Sequence, residues 1–214
     1  AKTGKEKKIV NSIFEQESAL SLVFDYTETI NVLKTETFSE IAEDYSIFDK
    51  FQDVDTLMIT AGFGRLALFK DVDENMIPLS FNVNTIPVMR ILKRFYHKLE
   101  SRQNFYCGVM VSIAGFMSSP FFSIYAATKA ALKVFIESVN VELIKAGSVN
   151  QILNVSPGSL KGTSFTNGKT DLYVTAPMAQ AIIAEMEKKN DLFHTIIDYQ
   201  KNYAKVQFFY DICK

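Results

Sequence analysis

The chain has 214 residues, of which 48% are hydrophobic and 22% are charged, and its formal net charge is -1 at pH 7. These values are ordinary for one globular domain with a substantial core, and they give no electrostatic support for binding nucleic acid or an anionic membrane surface. No apolar run approaches the roughly 18 residues that a membrane span needs. The two cysteines and two histidines follow no disulfide or metal-ligand pattern, so we expect a cytoplasmic protein without a metal site.

The predicted elements alternate along the chain between apolar strand-like stretches and segments with helical spacing of apolar residues. This alternation favours βαβ units and a parallel sheet, so we predict one α/β domain over residues 1–214. Gly147 is expected to end the helix at 125–145, and Lys188 and Lys189 are expected in the last turn of the helix at 176–189. The predicted helices cover residues 9–16, 86–99, 125–145 and 176–189, and the predicted strands cover residues 19–24, 38–42, 55–60, 109–112 and 151–155.

Tyr125 and Lys129 form the most informative pair, because residues four apart on a helix share one face. An ammonium group beside a phenol stabilises the phenolate and lowers the pKa of the tyrosine from about 10 towards neutrality. Ser112 lies thirteen residues upstream, where an apolar strand-like run ends, and open α/β sheets bind their ligands at that edge. The alternative for Tyr125 is a half-buried aromatic residue at the start of a helix.

Residues 108–165 resemble the short-chain dehydrogenase/reductase family in its classical form. The shared pattern is a strand, Ser-x-Ala-Gly, Tyr-x-x-x-Lys, a helix, and a strand that ends in Pro-Gly. The resemblance implies a Rossmann-like doubly wound parallel sheet with helices on both faces. It also implies an NAD(P)-dependent oxidoreductase that interconverts an alcohol and a carbonyl in a small-molecule substrate. By the same analogy, we expect a homo-oligomer that associates through the helices at 86–99 and 125–145.

The resemblance gives each member of the polar set a role. Tyr125 exchanges a proton with the substrate oxygen, Lys129 lowers the pKa of the tyrosine and bonds the nicotinamide ribose, and Ser112 holds the substrate oxygen. Asn84, expected to open a helix, supports a water molecule that leads to Lys129. Asn82 is close by, and either asparagine is also suited to cap the helix that follows.

The resemblance also places the cofactor, NAD or NADP, against several segments. Asp25, at the end of the second strand, occupies the place of the acidic residue that bonds the adenosine ribose, which favours NAD; a helix cap is the alternative. Asp44 and Tyr45 fall beside the adenine. Thr163 is expected at the nicotinamide, with an ordinary loop hydroxyl as the alternative. The other residues expected at the cofactor are Ala61, Gly62, Pro157 and Gly158.

The glycine-rich turn that holds a pyrophosphate is incomplete in this sequence. One alignment places Gly4 at the middle glycine of the family motif and Glu6 at the third, and a second alignment makes Gly4 part of the motif's opening, with loop residues absent after it. In both, we expect the first strand to be missing from this sequence or truncated. Ile59 and Thr60 also replace two asparagines of the family. These departures leave open a second function, a non-catalytic binding or scaffold protein with a degraded cofactor site.

Aromatic and apolar side chains are frequent between Ser112 and Tyr125 and just after the Pro-Gly turn. In the fold that the resemblance implies, these segments flank the substrate cleft, which indicates an apolar substrate; the alternative is that they pack the core or a subunit interface. Residues 161–173 are predicted to form a mobile lid or an ordinary exposed loop. The side chains concerned are Phe116, Met117, Phe121, Phe122 and Phe165.

Overall fold

The computed structural model describes residues 53–160 and 171–194, together with Phe48 and Thr163. Within these residues no helix is both long enough and apolar enough to cross a bilayer. The same part of the chain holds no group of His, Cys, Asp or Glu side chains arranged as a metal site. The predicted elements at 9–16, 19–24 and 38–42 lie outside the described residues, as do Gly4, Asp25, Asp44 and Tyr45.

In the part of the chain that the structure describes, four parallel strands form one sheet in the order β1-β2-β3-β4. Cys107 in the second strand pairs with Leu57 in the first and with Ile152 in the third. The parallel α/β prediction is therefore confirmed, and the strands predicted at 55–60 and 151–155 are present. The strand predicted at 109–112 begins and ends earlier, and the short fourth strand was not predicted. The strands are β1 (Thr56–Ile59), β2 (Tyr106–Met110), β3 (Ile152–Ser156) and β4 (Leu192–His194).

Helices cover both faces of this sheet in the described chain. Val109 and Ile152 face one core cluster, which includes Leu92 and Ile136 from the helices on that side. Leu153 and Val155 in β3 belong to a second cluster, with Ile182 and Met186 of the last helix. The strands are therefore buried on both sides, as is usual for parallel sheets. The helices are α1 (Met76–Asn84), α2 (Ile86–Arg94), α3 (Tyr96–Glu100), α4 (Ser123–Lys145) and α5 (Leu172–Glu187).

The helix predicted over residues 86–99 is wrong as a single element. It is interrupted at the buried Phe95, which separates α2 from α3. The preceding helix, α1, was not predicted, and it contains a proline near its start. Pro78 is the third residue of α1, and the first turn of a helix tolerates proline because its N–H groups have no partner inside the helix.

Helix α4 ends as predicted at Gly147, which has a φ of +75°. The Gly147 N–H donates to the Ile144 carbonyl at 3.0 Å, and the Ser148 N–H donates to the Leu143 carbonyl, also at 3.0 Å. This pair of bonds is the Schellman arrangement, in which a left-handed glycine satisfies the last carbonyls of a helix.

Helix α5 begins four residues before its predicted start, because Asp171 caps it by accepting hydrogen bonds from the Tyr173 and Val174 N–H groups at 3.0 and 3.4 Å. The expectation that Lys189 lies in the last turn is wrong, and Lys188 likewise follows the helix. Lys189 adopts a left-handed conformation, with a φ of 60°. Its Nζ donates to the Phe105 carbonyl at 2.6 Å, so it joins α5 to the start of β2.

Candidate active site

Ser112 lies just beyond the carboxyl end of β2, where it precedes a short 3-10 helix over Ile113–Gly115. Its Oγ accepts a hydrogen bond from the Ala114 N–H at 3.1 Å, which caps that helix. The Ile113 N–H donates to the Pro157 carbonyl at 3.1 Å. The chain after β2 thus stays joined to the chain after β3, and Ser112 is held at the edge of the sheet where ligands bind in this architecture.

Gly115 brings this short helix into direct contact with α4. A Cβ atom on Gly115 would lie 2.9 Å from both the carbonyl carbon and the carbonyl oxygen of Lys129, and 3.1 Å from the Ala130 nitrogen. Only glycine fits at such a distance without a backbone shift. The contact sets Ser112 opposite Tyr125, and the two side chains form a hydrogen bond.

The Tyr125 phenol is largely enclosed by protein. Burial raises its pKa above the ordinary value near 10, and the hydrogen bond from Ser112 lowers that pKa by a smaller amount. The ring also meets the Phe122 ring edge-on, with 5.8 Å between the ring centroids. The expectation that Lys129 lowers the pKa of Tyr125 towards neutrality is therefore wrong for this structure, because burial is the largest effect.

Lys129 shares one face of α4 with Tyr125, as predicted. Its side chain is 2% exposed, and its Nζ lies 5.7 Å from the centroid of the Tyr125 ring. The Nζ donates to the Met110 carbonyl at 2.8 Å, which directs the ammonium group towards the end of β2. Burial lowers the pKa of Lys129 to about 8 from an ordinary value of 10.5.

Asn84 is fully buried and joins the loop after β1 to α4. Its Oδ1 accepts from the Phe63 N–H at 2.8 Å, and its Nδ2 donates to the Phe63 carbonyl at 2.9 Å and to Thr128 Oγ1 at 3.1 Å. Both N–H donors of the Asn84 side chain are therefore used, whereas its Oδ1 is able to accept one more hydrogen bond. The expectation that Asn84 opens a helix is wrong, since it is the last residue of α1. The alternative residue, Asn82, is half-buried.

Gly62 is the point where Lys129 and Asn84 come together. A Cβ atom on Gly62 would lie 3.1 Å from Lys129 Nζ and 3.3 Å from Asn84 Oδ1. Because Gly62 is exposed, the two buried polar groups have only a glycine backbone between them and the surface. Ala61, the preceding residue, is half-buried.

Pro157 and Gly158, two further predicted residues, directly follow β3 at the same edge of the sheet. Pro157 is buried and accepts from Ile113, and Gly158 is half-buried. Thr163 Oγ1 donates to the Leu160 carbonyl at 3.1 Å. The lid predicted at 161–173 lies mostly outside the described residues, but its last two residues are the first of α5 and so are not part of a loop.

A pocket beside Tyr125 is lined by Phe121 and Phe122, two of the aromatic residues expected at a substrate cleft. Phe116 lies elsewhere, under the Lys133 ammonium, with Nζ 5.0 Å from the ring centroid. Met117 is half-buried, and Phe165 lies outside the described residues.

Several residues that shape the site were missed in the sequence. Thr128 is three residues after Tyr125 and thus on the same helical face, which was a usable signal. Two other features gave no sequence signal. They are the close approach of Gly115 to the Lys129 backbone and the hydrogen bond from Lys129 to the Met110 carbonyl. Arg65, another residue of the pocket wall, was likewise not predicted.

Sequence comparisons show that the chain is similar to known dehydrogenases. A family model described as short chain dehydrogenase matches residues 6–172. The chain is 30% identical over 104 residues to human 17-beta-hydroxysteroid dehydrogenase type 1, a match that covers 49% of this chain and 32% of that protein. It is 28% identical over 123 residues to dehydrogenase RED2 of Cochliobolus heterostrophus, covering 58% and 46% of the two chains. The matches therefore span between a third and a half of these relatives' length.

Solved structures share the fold at low sequence identity. A short chain dehydrogenase from Burkholderia cenocepacia in complex with NADP aligns with a TM-score of 0.61 at 18% identity, covering 75% of this chain and 67% of that one. A short chain dehydrogenase/reductase from Burkholderia phymatum in complex with NAD aligns with a TM-score of 0.57 at 18% identity, covering 70% and 63%. These likenesses establish the Rossmann-like fold, and with the family match they identify the chain as a member of the short-chain dehydrogenase family.

Proposed function

We propose that the protein is an NAD(P)-dependent oxidoreductase that interconverts an alcohol and a carbonyl. The observation that carries this proposal is the hydrogen bond between Ser112 and Tyr125, with the buried Lys129 ammonium 5.7 Å from the tyrosine ring. These three polar groups have little structural use together, whereas a proton donor, a second hydrogen-bond donor and a nearby cation are what carbonyl reduction needs.

Tyr125 is the proposed general acid in the direction of carbonyl reduction. Its raised pKa keeps the phenol protonated at neutral pH, so it has a proton to donate to the substrate oxygen. Ser112 bonds the phenol and places a second donor beside the same oxygen. As negative charge develops on the phenol, the Lys129 ammonium stabilises it; this ammonium keeps its proton below a pH of about 8. Alcohol oxidation runs through the same groups in reverse.

A nicotinamide cofactor, when bound, supplies or accepts the hydride. The described residues fit the nicotinamide ribose of the cofactor. An ammonium group has three N–H donors, and Lys129 donates one of them to the Met110 carbonyl, which leaves two for the ribose hydroxyls. Gly62 places no side chain against the Lys129 ammonium, where a Cβ atom would lie 3.1 Å from Nζ. Asn84 Oδ1 faces the same glycine, which supports a role in holding a water molecule beside Lys129. Ala61, Pro157, Gly158 and Thr163 remain proposed contacts.

The choice between NAD and NADP stays a sequence-based proposal. Solved relatives include complexes with NAD and with NADP. Asp25, at the end of a predicted strand, favours NAD because a carboxylate accepts bonds from a ribose 2′-hydroxyl and repels a 2′-phosphate. The pyrophosphate and adenine contacts of Gly4, Asp44 and Tyr45 are proposed on the family resemblance alone.

The alternative function is a non-catalytic binding or scaffold protein. It is motivated by Glu6 near the expected phosphate-binding turn and by Ile59 and Thr60 in place of two asparagines. Such a protein would bind neither dinucleotide. The two functions are therefore separated by a binding measurement that needs no knowledge of the substrate.

The experiment is a calorimetric titration of the full-length protein with NADH and, separately, with NADPH. We expect one of them to bind, and we expect Lys129→Met to weaken that binding by about tenfold or more, the loss of a charge-assisted hydrogen bond. Lys145→Met, at an exposed lysine in the last turn of the same helix, is the matched control and should bind as the wild type does. Binding of neither dinucleotide would support the scaffold function instead.

We further propose that the protein is a cytoplasmic homo-oligomer and that its substrate has an apolar segment, which is supported by Phe121 and Phe122 in the pocket beside Tyr125. Helix α4 exposes Val134, Val141 and Ile144 by 58%, 51% and 58%, and large apolar side chains exposed on one helix support self-association through it. Cys107 is a free thiol, which fits a reducing compartment. Sedimentation of the wild type against Val141→Glu tests the association, since a monomeric wild type would contradict it.

A further inference from the structure

The pocket beside Tyr125 has a largely apolar wall that contains one charged side chain. Ala67, Val72, Met76 and Ile124 contribute apolar surface, together with Phe121 and Phe122. Arg65 is the only charged residue of this wall among the described residues. A cation placed among apolar groups, in the same pocket as the proposed proton donor, is a feature that the general oxidoreductase function does not use.

Arg65 is carried on a loop that is held at both ends. On one side, both backbone groups of Phe63 are bonded to the buried Asn84, at 2.8 and 2.9 Å. On the other side, the Ala67 N–H donates to the Phe121 carbonyl at 2.9 Å. The loop is therefore attached to α1 before Arg65 and to the segment that leads into α4 after it. These backbone attachments hold the part of the loop that contains Arg65 beside the pocket.

The Arg65 guanidinium has no ion pair within the described part of the chain. The ion pairs found there join Lys133 to Glu137 in α4 and Lys188 to Glu185 at the end of α5. The nearest carboxylates in sequence, those of Asp71 and Asp73, do not line the pocket. Arg65 is exposed and belongs to the pocket wall, and a guanidinium group carries five N–H donors.

We propose that Arg65 is a specificity-determining residue and that the substrate carries a carboxylate in addition to the reacting alcohol or carbonyl, with an apolar segment between them. This inference rests on the proposed oxidoreductase function. The planar guanidinium binds a carboxylate through two parallel hydrogen bonds, while the apolar wall contacts the segment between the two polar ends. In this arrangement Tyr125 receives the oxygen that reacts, and Arg65 fixes the opposite end of the molecule.

The test compares keto acids with their methyl esters, which have nearly the same shape but no charge. Levulinate and its next two longer homologues, each paired with its ester, vary the span between the carbonyl and the carboxylate. With the cofactor that binds, we expect the wild type to prefer at least one acid over its ester by about tenfold or more in kcat/KM. Arg65→Gln should remove the preference by raising KM for the acid, and Arg65→Lys should retain part of it. Arg102→Gln, at an exposed arginine outside the pocket, is the matched control.

The outcomes separate this inference from the proposed function. Equal turnover of acids and esters by the wild type would overturn the role of Arg65 and leave the oxidoreductase function in place. If neither series is reduced, calorimetry with hexanoate and methyl hexanoate tests Arg65 alone. Hexanoate binding that is lost in Arg65→Gln and kept in Arg102→Gln would support the carboxylate site. Absence of hexanoate binding, or binding unchanged in Arg65→Gln, would overturn it.

Discussion

Gly115 lies so close to Lys129 that a Cβ atom on the glycine would stand 2.9 Å from the lysine's carbonyl carbon and oxygen. Through this contact the turn that carries Ser112 meets the helix that carries Tyr125 and Lys129. The arrangement of the three polar side chains therefore depends on a residue that has no polar side chain of its own.

Replacement of Gly115 by Ala should damage both stability and turnover. The added methyl group meets backbone atoms, which cannot move aside as a flexible side chain would, so we expect a loss of about 1 to 3 kcal/mol in the free energy of unfolding. Turnover should fall by about tenfold or more, because Ser112 moves away from Tyr125. The measurement is urea unfolding combined with steady-state kinetics.

Gly147→Ala is the control for this prediction. It introduces backbone strain at a φ of +75°, but an added Cβ meets nothing within 4 Å. We expect a loss of about 1 kcal/mol in stability with unchanged kcat. If kcat were unchanged in Gly115→Ala as well, the contact between Gly115 and Lys129 would have no part in positioning Ser112.

Lys129 should lower the stability of the protein at neutral pH. Its pKa is about 8 in the folded state against an ordinary 10.5, so the unfolded state binds more protons between these two values. The free energy of unfolding therefore rises with pH across this window, while the full cost of the buried charge is present below it. At pH 7, Lys129→Met should be more stable than the wild type by about 1 to 3 kcal/mol.

The measurement is urea unfolding of the wild type and Lys129→Met at pH values on both sides of this window. The advantage of the variant should shrink as the pH approaches the upper value. Lys145→Met, at an exposed position, should show no such trend. An advantage of Lys129→Met that was the same at every pH would mean that burial of the charge is not its cause.

Asn84→Ala should destabilise the protein more than Asn82→Ala does. The first change removes three hydrogen bonds that join the loop after β1 to α4, and we expect a cost of about 2 to 4 kcal/mol. Asn82 is only half-buried, and its replacement should cost about 0.5 kcal/mol or less. Thermal unfolding of both variants gives the comparison, and equal losses would contradict the assigned role of Asn84.

The sequence predicted the parts of the fold that rest on periodicity. Residues 55–60 and 151–155 are apolar runs, and the corresponding strands are present. Helix α4 and its end at Gly147 follow from helical spacing and a glycine. By contrast, the interruption at Phe95 and the helix that contains Pro78 depend on how these segments pack against the sheet, which no local pattern records.

The candidate site was predicted in its residues more accurately than in its electrostatics. Tyr125 and Lys129 share a face as their spacing requires, and Ser112 forms a hydrogen bond with Tyr125. The direction of the pKa shift of Tyr125 was wrong, because the spacing predicts proximity but not burial, and burial is the larger effect here. Arg65 was missed because its place in the pocket depends on a loop held by distant residues.

The most direct test of the account is turnover by Tyr125→Phe, with Tyr173→Phe as the matched control, since Tyr173 is 95% exposed. The substrate is any carbonyl compound that the wild type reduces with its cofactor. We expect Tyr125→Phe to keep cofactor affinity and to lose about 100- to 10,000-fold in kcat, because the proton donor is gone. Tyr173→Phe should match the wild type. A Tyr125→Phe variant that keeps wild-type kcat would contradict the proposed role of Tyr125 and the mechanism built on it.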